Sequence, residues 1–289
     1  MVICMMKLNV SIIFIIFTCL HVLSQDELES LLGSTQEDDR IINTFKSTRI
    51  INNHSVEVFS PQQLDLRISH RFGLLNSGFY ELFGLDQAKI RVGLEYGLMN
   101  NCMVGFGRST FNKAYDGYFK YVLLTQKNGI KKNPISLVSL SSFSFNSLKK
   151  SQSNYPFSGR FSYANQLMIA SKINSKFSMQ LMPTLIHWNM VESREDINTM
   201  FVIGAGFRYL ISKSISINSE YFYRFLNNPT NYYNSFSIGL DVETGGHVFQ
   251  LHLTNSMGMD EATFMTRTLN SWYEGGIHFG FNISREFNL

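Results

Sequence analysis

The stretch His252-Leu253-Thr254-Asn255 brings together the residue types that covalent catalysis requires. A histidine can act as base toward a hydroxyl nucleophile, and a third group can orient that base. In an extended chain His252 and Thr254 share one face, while Leu251 and Leu253 take the other. A second set of residues could act through charge and hydrogen bonding: Asp65, Arg67, Arg71, Arg91, Glu95, Arg108, Asp116, Lys120, Gln166, Arg208, Glu220, Arg224, Asp241, Glu243, Gln250, His252 and His278. Both signs are present, so facing members should pair, because an unpaired buried charge is costly. His70, His187, His252 and His278 are the candidate metal or haem ligands, but they fall in separate segments. No Cys/His spacing matches a zinc site, so no metal and no cofactor is expected. Gly204-Ala205-Gly206 and Gly105-Phe106-Gly107 are not phosphate loops, since no helix follows them. Glycine at such places permits strand coiling or leaves space.

The elements that must position these residues are strands. Ile215, Ile217, Tyr221, Tyr223 and Phe225 alternate with Ser216, Asn218, Glu220 and Arg224. Phe236, Ile238, Leu240 and Val242 alternate with Ser237, Gly239, Asp241 and Glu243, and Ile277, Phe279, Phe281 and Ile283 with His278, Gly280, Asn282 and Ser284. A period of two gives each segment one apolar face and one polar or small face. About twelve such segments occur, near 64–72, 88–97, 102–109, 115–126, 134–147, 158–172, 176–191, 197–211, 214–226, 233–243, 246–255 and 275–286. Asn100-Asn101, Asn174-Ser175, Ser212-Lys213 and Gly245-Gly246 are tight-turn residues after even-numbered segments. Odd connections are longer, notably 73–87 and 257–274, and 127–133 is the long exception among the even ones. A short helix is expected within 257–267, in a loop that could gate a mouth or bind a partner.

Composition agrees. Of 289 residues, 44% are hydrophobic, 14% aromatic and 16% charged. A soluble domain carries about 25% charged residues, and disorder needs low hydrophobicity with high charge. A net charge of +3 gives nucleic-acid binding no electrostatic support. Residues 1–24 read as a signal peptide, with Lys7 in the n-region, Leu8 to Leu20 as the apolar run and Val22-Leu23-Ser24 before cleavage. That run is short of the roughly 20 residues a spanning helix needs. Cys4 and Cys19 lie within residues 1–24, which leaves Cys102 without an intrachain disulfide partner in the exported chain.

An all-β fold follows: a single transmembrane antiparallel barrel over 61–289, with a periplasmic segment 25–60 that lies outside or folds against the periplasmic mouth. Short even turns put both termini on the periplasmic side, and a closed barrel satisfies every backbone group against lipid. A soluble sandwich or lipocalin-like barrel would also alternate, but would need a well-charged exterior. Polar faces then line a lumen, with Arg67, Arg71, Arg91, Glu95, Arg208, Glu220, Arg224, Asp241, Glu243, His252 and His278 as lining candidates. They form either a structural network that fills the barrel or a lining that selects a small polar solute. The expected partners are outer-membrane lipids and, during insertion, the barrel assembly machinery. Phe287 and Leu289, in phase with Ile283, resemble the terminal assembly signal of outer-membrane barrels.

Two further resemblances bear on function. Residues 252–255 are similar to the His-x-Ser-Asn element of outer-membrane phospholipase A and lipid A deacylases, with threonine in place of serine. This similarity implies a lipid hydrolase using His252, Thr254 and Asn255. Against it, His252 should point into the lumen, whereas those enzymes act at the lipid surface. More extensively, the run from Thr44 to Ser55 resembles the opening of the DUF5777 family, a barrel family of Bacteroidota without an established activity. The resemblance continues through Arg67-Ile68-Ser69-His70-Arg71-Phe72-Gly73, Gly84-Leu85-Asp86-Gln87 and Glu95-Tyr96-Gly97. It extends over Gln180-Leu181-Met182-Pro183-Thr184-Leu185, residues 243–251 and residues 277–285. It implies an outer-membrane barrel and brings no catalytic residues with it. The expectation is a non-enzymatic barrel.

Overall fold

The computed structural model describes residues 40–41, 43–128, 132–149, 155–191, 193, 196–225 and 232–289. The expected signal peptide lies outside the described residues. The strands are β1 (Gln63–Leu74), β2 (Ala88–Met99), β3 (Cys102–Ser109), β4 (Ala114–Leu124), β5 (Ser136–Asn146) and β6 (Phe161–Lys172). They continue as β7 (Phe177–Trp188), β8 (Thr199–Leu210), β9 (Ile215–Arg224), β10 (Ser235–Thr244), β11 (His247–Thr254) and β12 (His278–Asn288). Each pairs antiparallel with its chain neighbours. β1 also pairs with β12, Leu64 opposite Phe287 and Ile68 opposite Ile283, which closes the barrel. An α-helix, α1 (Glu261–Thr266), lies in the β11–β12 connection, where the sequence predicts it.

The turn parity follows the residues. Gly245 and Gly246 take φ of 32° and 91° in the two-residue β10–β11 turn, a conformation that other residues adopt only with strain. One mouth of the barrel therefore carries short turns and the other carries the longer loops.

The outer face is predominantly apolar. Ile90, Val92 and Leu94 on β2, Leu181 and Leu185 on β7, and Ile238 and Leu240 on β10 are all exposed. Such a continuous belt is foreign to a protein in water and suits hydrocarbon. Aromatic clusters ring both ends. At the long-loop end stand Phe72 with Phe279 and Phe281, Phe145 with Phe161, and Phe201 with Phe225. At the short-turn end stand Phe119 with Tyr121, and Phe177 with Phe207.

The interior departs from the expected pattern in three ways. First, it is not polar all round. Val138, Leu140, Ala164, Met168, Met182, Ile186, Met200, Val202 and Phe222 line the β5–β9 arc. Here apolar residues are interspersed with polar ones on the inner face, which a simple alternation count does not show. Second, Arg108 is on the outside, over the Tyr115 ring at 5.4 Å, because Gly107 and Ser109 occupy the inner face of β3. Third, residues 44–59 are not outside the barrel. Residues 44–56 are buried or nearly so, and the side chains of Phe45, Ile50, Ile51, Val56 and Phe59 join the apolar arc in one core. The hydrophobic effect accounts for the third departure through the first: an apolar lumen arc and five apolar side chains on the leading segment remove each other from water.

Candidate functional site

The inserted segment is a hairpin. Ser55 N–H donates to the Thr48 carbonyl at 2.9 Å, Ile50 N–H to the Asn53 carbonyl at 2.8 Å, and Arg49 bridges His54. Asn52-Asn53 make the tip, as asparagines do in tight turns. Both ends of the hairpin emerge at the short-turn mouth. Ile41 N–H bonds the Gln126 carbonyl just after β4, and Gln62 N–H bonds the Gly97 carbonyl near the end of β2.

Most of the lumen-lining candidates meet this hairpin directly. At its tip Glu220 accepts the amides of Asn52 and Asn53 at 2.8 and 3.1 Å. Arg71 donates to the Asn52 side-chain oxygen at 2.6 Å. Lower down, Thr48 Oγ1 donates to Glu95 at 2.6 Å, and Arg67 donates to Ser47 and Thr48 hydroxyls, each at 2.9 Å. Arg208 donates to the Asn43 and Thr44 carbonyls, both at 3.1 Å. Glu243, half-exposed at the mouth, pairs with Lys46. Asp241 accepts from Gln250 at 3.1 Å, and Gln250 in turn donates to the Ile50 carbonyl at 2.9 Å. Arg91 instead pairs with Asp116 on the wall. Gly206 leaves room for the hairpin: a Cβ there would approach Ile50 Cδ1 to 2.5 Å.

From the other mouth, the β11–β12 loop turns inward. All six residues of α1 are buried. Asp260 caps the helix by accepting the Thr263 amide at 3.1 Å, and its burial, with Asp116 nearby, raises its pKa to about 6. Phe264 packs edge-on against Phe222 at 5.2 Å. Arg224 donates to the Thr266 carbonyl at 3.2 Å, and His278 bonds Asn270 and the Phe72 carbonyl, both at 2.9 Å.

The two insertions meet inside the barrel. Glu261 of α1 lies 3.3 Å from the Arg49 guanidinium and 3.2 Å from His54 Nε2, both on the hairpin. Arg49 is also 3.6 Å from Glu95, which faces Arg67 at 3.4 Å, and Arg67 reaches Asp65 at 3.2 Å. A chain of alternating charge thus runs from wall to hairpin to outer loop. Burial, then the Arg49 and Lys120 charges, lowers the His54 pKa well below its ordinary value, so the imidazole is neutral at pH 7.

The covalent candidate does not assemble. His252 and Thr254 are both buried inside the barrel rather than facing lipid. Neither ring nitrogen of His252 hydrogen-bonds to Thr254. The ring leans toward β12, where a Cβ on Gly280 would strike it. Thr254 Oγ1 accepts from Ser237 at 2.9 Å, and Asn255 is taken up by the Asn234 and Asn270 carbonyls. The hairpin is what sequence reasoning missed. Its signal was present in Asn52-Asn53, a turn pair like Asn100-Asn101 of the barrel, preceded by Ile50-Ile51.

The family model for "Membrane bound beta barrel domain (DUF5777)" matches residues 45–287. The chain belongs to the DUF5777 family. The match begins at Phe45, so the family's domain includes the hairpin as well as the wall. No curated protein matches the chain in sequence. Among solved structures it is similar to the NanC porin, at 9% identity and a TM-score of 0.46, over 78% of this chain and 100% of that one. It is similar to the KdgM porin at 10% identity and a TM-score of 0.45, over 78% and 99% of the two chains. The COG4313 outer membrane channel from Pseudomonas putida F1 gives 10% identity and a TM-score of 0.45, over 80% and 97%.

Proposed function

We propose that this DUF5777 barrel is an outer-membrane channel for small polar solutes, closed by its own N-terminal hairpin. Residues 1–24 direct export, the barrel assembly machinery inserts the barrel among outer-membrane lipids, and the short-turn mouth faces the periplasm. The observation that carries the reading is how the hairpin is held. Beside the apolar contacts of Phe45, Ile50, Ile51, Val56 and Phe59, much of the contact is hydrogen bonding between the hairpin and charged wall groups, with Arg71, Lys120 and Arg208 donating and Glu220 accepting. Water can replace such bonds at a modest net cost of about 1 kcal/mol each, more for charged groups. Both ends of the hairpin leave by one mouth, so it can withdraw without threading. Withdrawal would uncover a lining of both signs, the kind of surface that tunes passage through a barrel.

Planar-bilayer conductance tests this. The chain should show rare, brief openings. A variant with residues 44–58 replaced by a Gly/Ser linker of equal length should pass sustained current. Absence of current above background from both would exclude a channel and leave a closed scaffold.

A further inference from the structure

The hairpin describes the ligand its own barrel would accept. Along residues 43–57 the wall reads the main chain. Arg208 donates to the carbonyls of Asn43 and Thr44, and Lys120 to those of Thr48, Ser55 and Glu57. Gln250 donates to the Arg49 and Ile50 carbonyls, Asn282 to that of Ile51 and Gln180 to that of His54. At the hairpin tip Glu220 accepts two successive amides, those of Asn52 and Asn53, an arrangement that belongs to the turn rather than to an extended chain. These bonds address peptide groups and would form with any sequence of compatible shape. Ser55 and Glu57 are two apart, the spacing at which carbonyls of an extended chain point the same way, and Lys120 bonds both. Beside this polar track the wall offers room for apolar side chains, as where Ile50 lies against Gly206 and Met182.

We infer that the vacated lumen is a peptide-binding site, and that the solute class of this channel is short extended peptides with apolar side chains. Main-chain hydrogen bonds supply the affinity and the apolar arc the preference, as in other recognition of extended peptides. A saccharide of equal size also offers acceptors, but its hydroxyls do not carry the regular main-chain spacing of the carbonyls that Lys120, Gln180, Gln250 and Asn282 address. This rests on the channel reading but is tested separately from it.

The probes are the synthetic peptide of residues 44–58, tetra-alanine, and a trisaccharide. The receptor is the Gly/Ser-linker variant, with folding checked by heat-modifiable mobility in gels. If that variant does not fold, the full chain carrying Glu261→Gln, which weakens the loop's hold on Arg49 and leaves the wall site intact, takes its place. Both peptides should block the sustained current in a concentration-dependent manner, at concentrations at least tenfold below any effect of the trisaccharide. Adding Lys120→Met should weaken tetra-alanine block several-fold. Current that flows but is blocked equally by sugar and peptide, or by neither, overturns the peptide inference and leaves the channel reading standing. Where no current flows, fluorescence anisotropy of the labelled hairpin peptide with the solubilised variant decides: saturable binding competed by tetra-alanine supports the peptide site, and no binding overturns it.

Discussion

Glu220→Gln should open the barrel without unfolding it. Glu220 sits on β9 with Gly206 and Ser237 as its cross-strand neighbours, and its carboxylate accepts two amides from the hairpin tip. A hydrogen bond to a charged acceptor contributes about 1.5–3 kcal/mol, and a neutral one about 1 kcal/mol. Glutamine keeps the shape but offers a single acceptor oxygen, and its NH2 group faces the second amide donor to donor. The seated hairpin therefore loses about 2–4 kcal/mol relative to the withdrawn one, roughly 30- to 1,000-fold in their ratio. The strand pairing of β9 uses backbone groups only and stays intact. Single-channel recording reads the effect as an increase in open probability of that order, with mean closed times shortened correspondingly. Heat-modifiable mobility should match the native chain. A folded Glu220→Gln barrel with native closed times would refute the idea that these two bonds hold the hairpin.

Other expectations concern neighbouring parts of the same device. Gly206→Leu should displace Ile50 and unseat the hairpin at a cost of about 1–3 kcal/mol, read as faster labelling of a cysteine placed at the buried Ser47; unchanged labelling would contradict the close contact. Glu261→Gln should couple to Arg49→Met in a double-mutant cycle by more than about 1 kcal/mol, since the pair is fully buried; additive effects on opening would show that hairpin and outer loop are independent. His54 is held neutral by burial and by Arg49 and Lys120, against the opposing charges of Glu95 and Glu261. Its folded pKa is depressed, so its contribution is present above the ordinary value of 6.5 and is lost as pH falls below it, which favours withdrawal by up to about tenfold per unit. Asp260 acts oppositely on the outer loop. Its pKa rises from 3.8 to about 6, so docking of α1 is favoured in acid and weakens as pH rises through 6. Opening measured from pH 7 to 5 in His54→Gln should lose the hairpin's share of the response. The purified protein should release no fatty acid from phospholipid; release abolished by both His252→Ala and Thr254→Ala would reverse the assignment of those residues.

Much of the wall was legible in the residues themselves. Ile215, Ile217, Tyr221 and Tyr223 against Ser216, Asn218 and Glu220 define a strand with two unlike faces wherever it sits. Gly245-Gly246 defines a turn by its backbone freedom alone. Period and turn parity are local properties, so an antiparallel barrel of about twelve strands could be read in advance. Arg108 shows the limit: on a strand whose inner face is glycine and serine, polarity alone does not identify the lumen side.

The contents of the barrel were decided elsewhere. Asn52 and Glu220 are 168 positions apart, and Arg49 and Glu261 212 apart. Nothing in either partner's neighbourhood announces the other. Residues 44–59 have no strand period, because the hairpin's side chains face a curved wall on all sides rather than two faces of a sheet. Sequence by itself determined that this chain must close into a barrel with lipid-compatible walls, since alternation and backbone hydrogen bonding leave few other solutions. Only the tertiary structure decided that the lumen is occupied, because filling a cavity depends on matching volume, apolar surface and charge between segments that meet only after the barrel has closed.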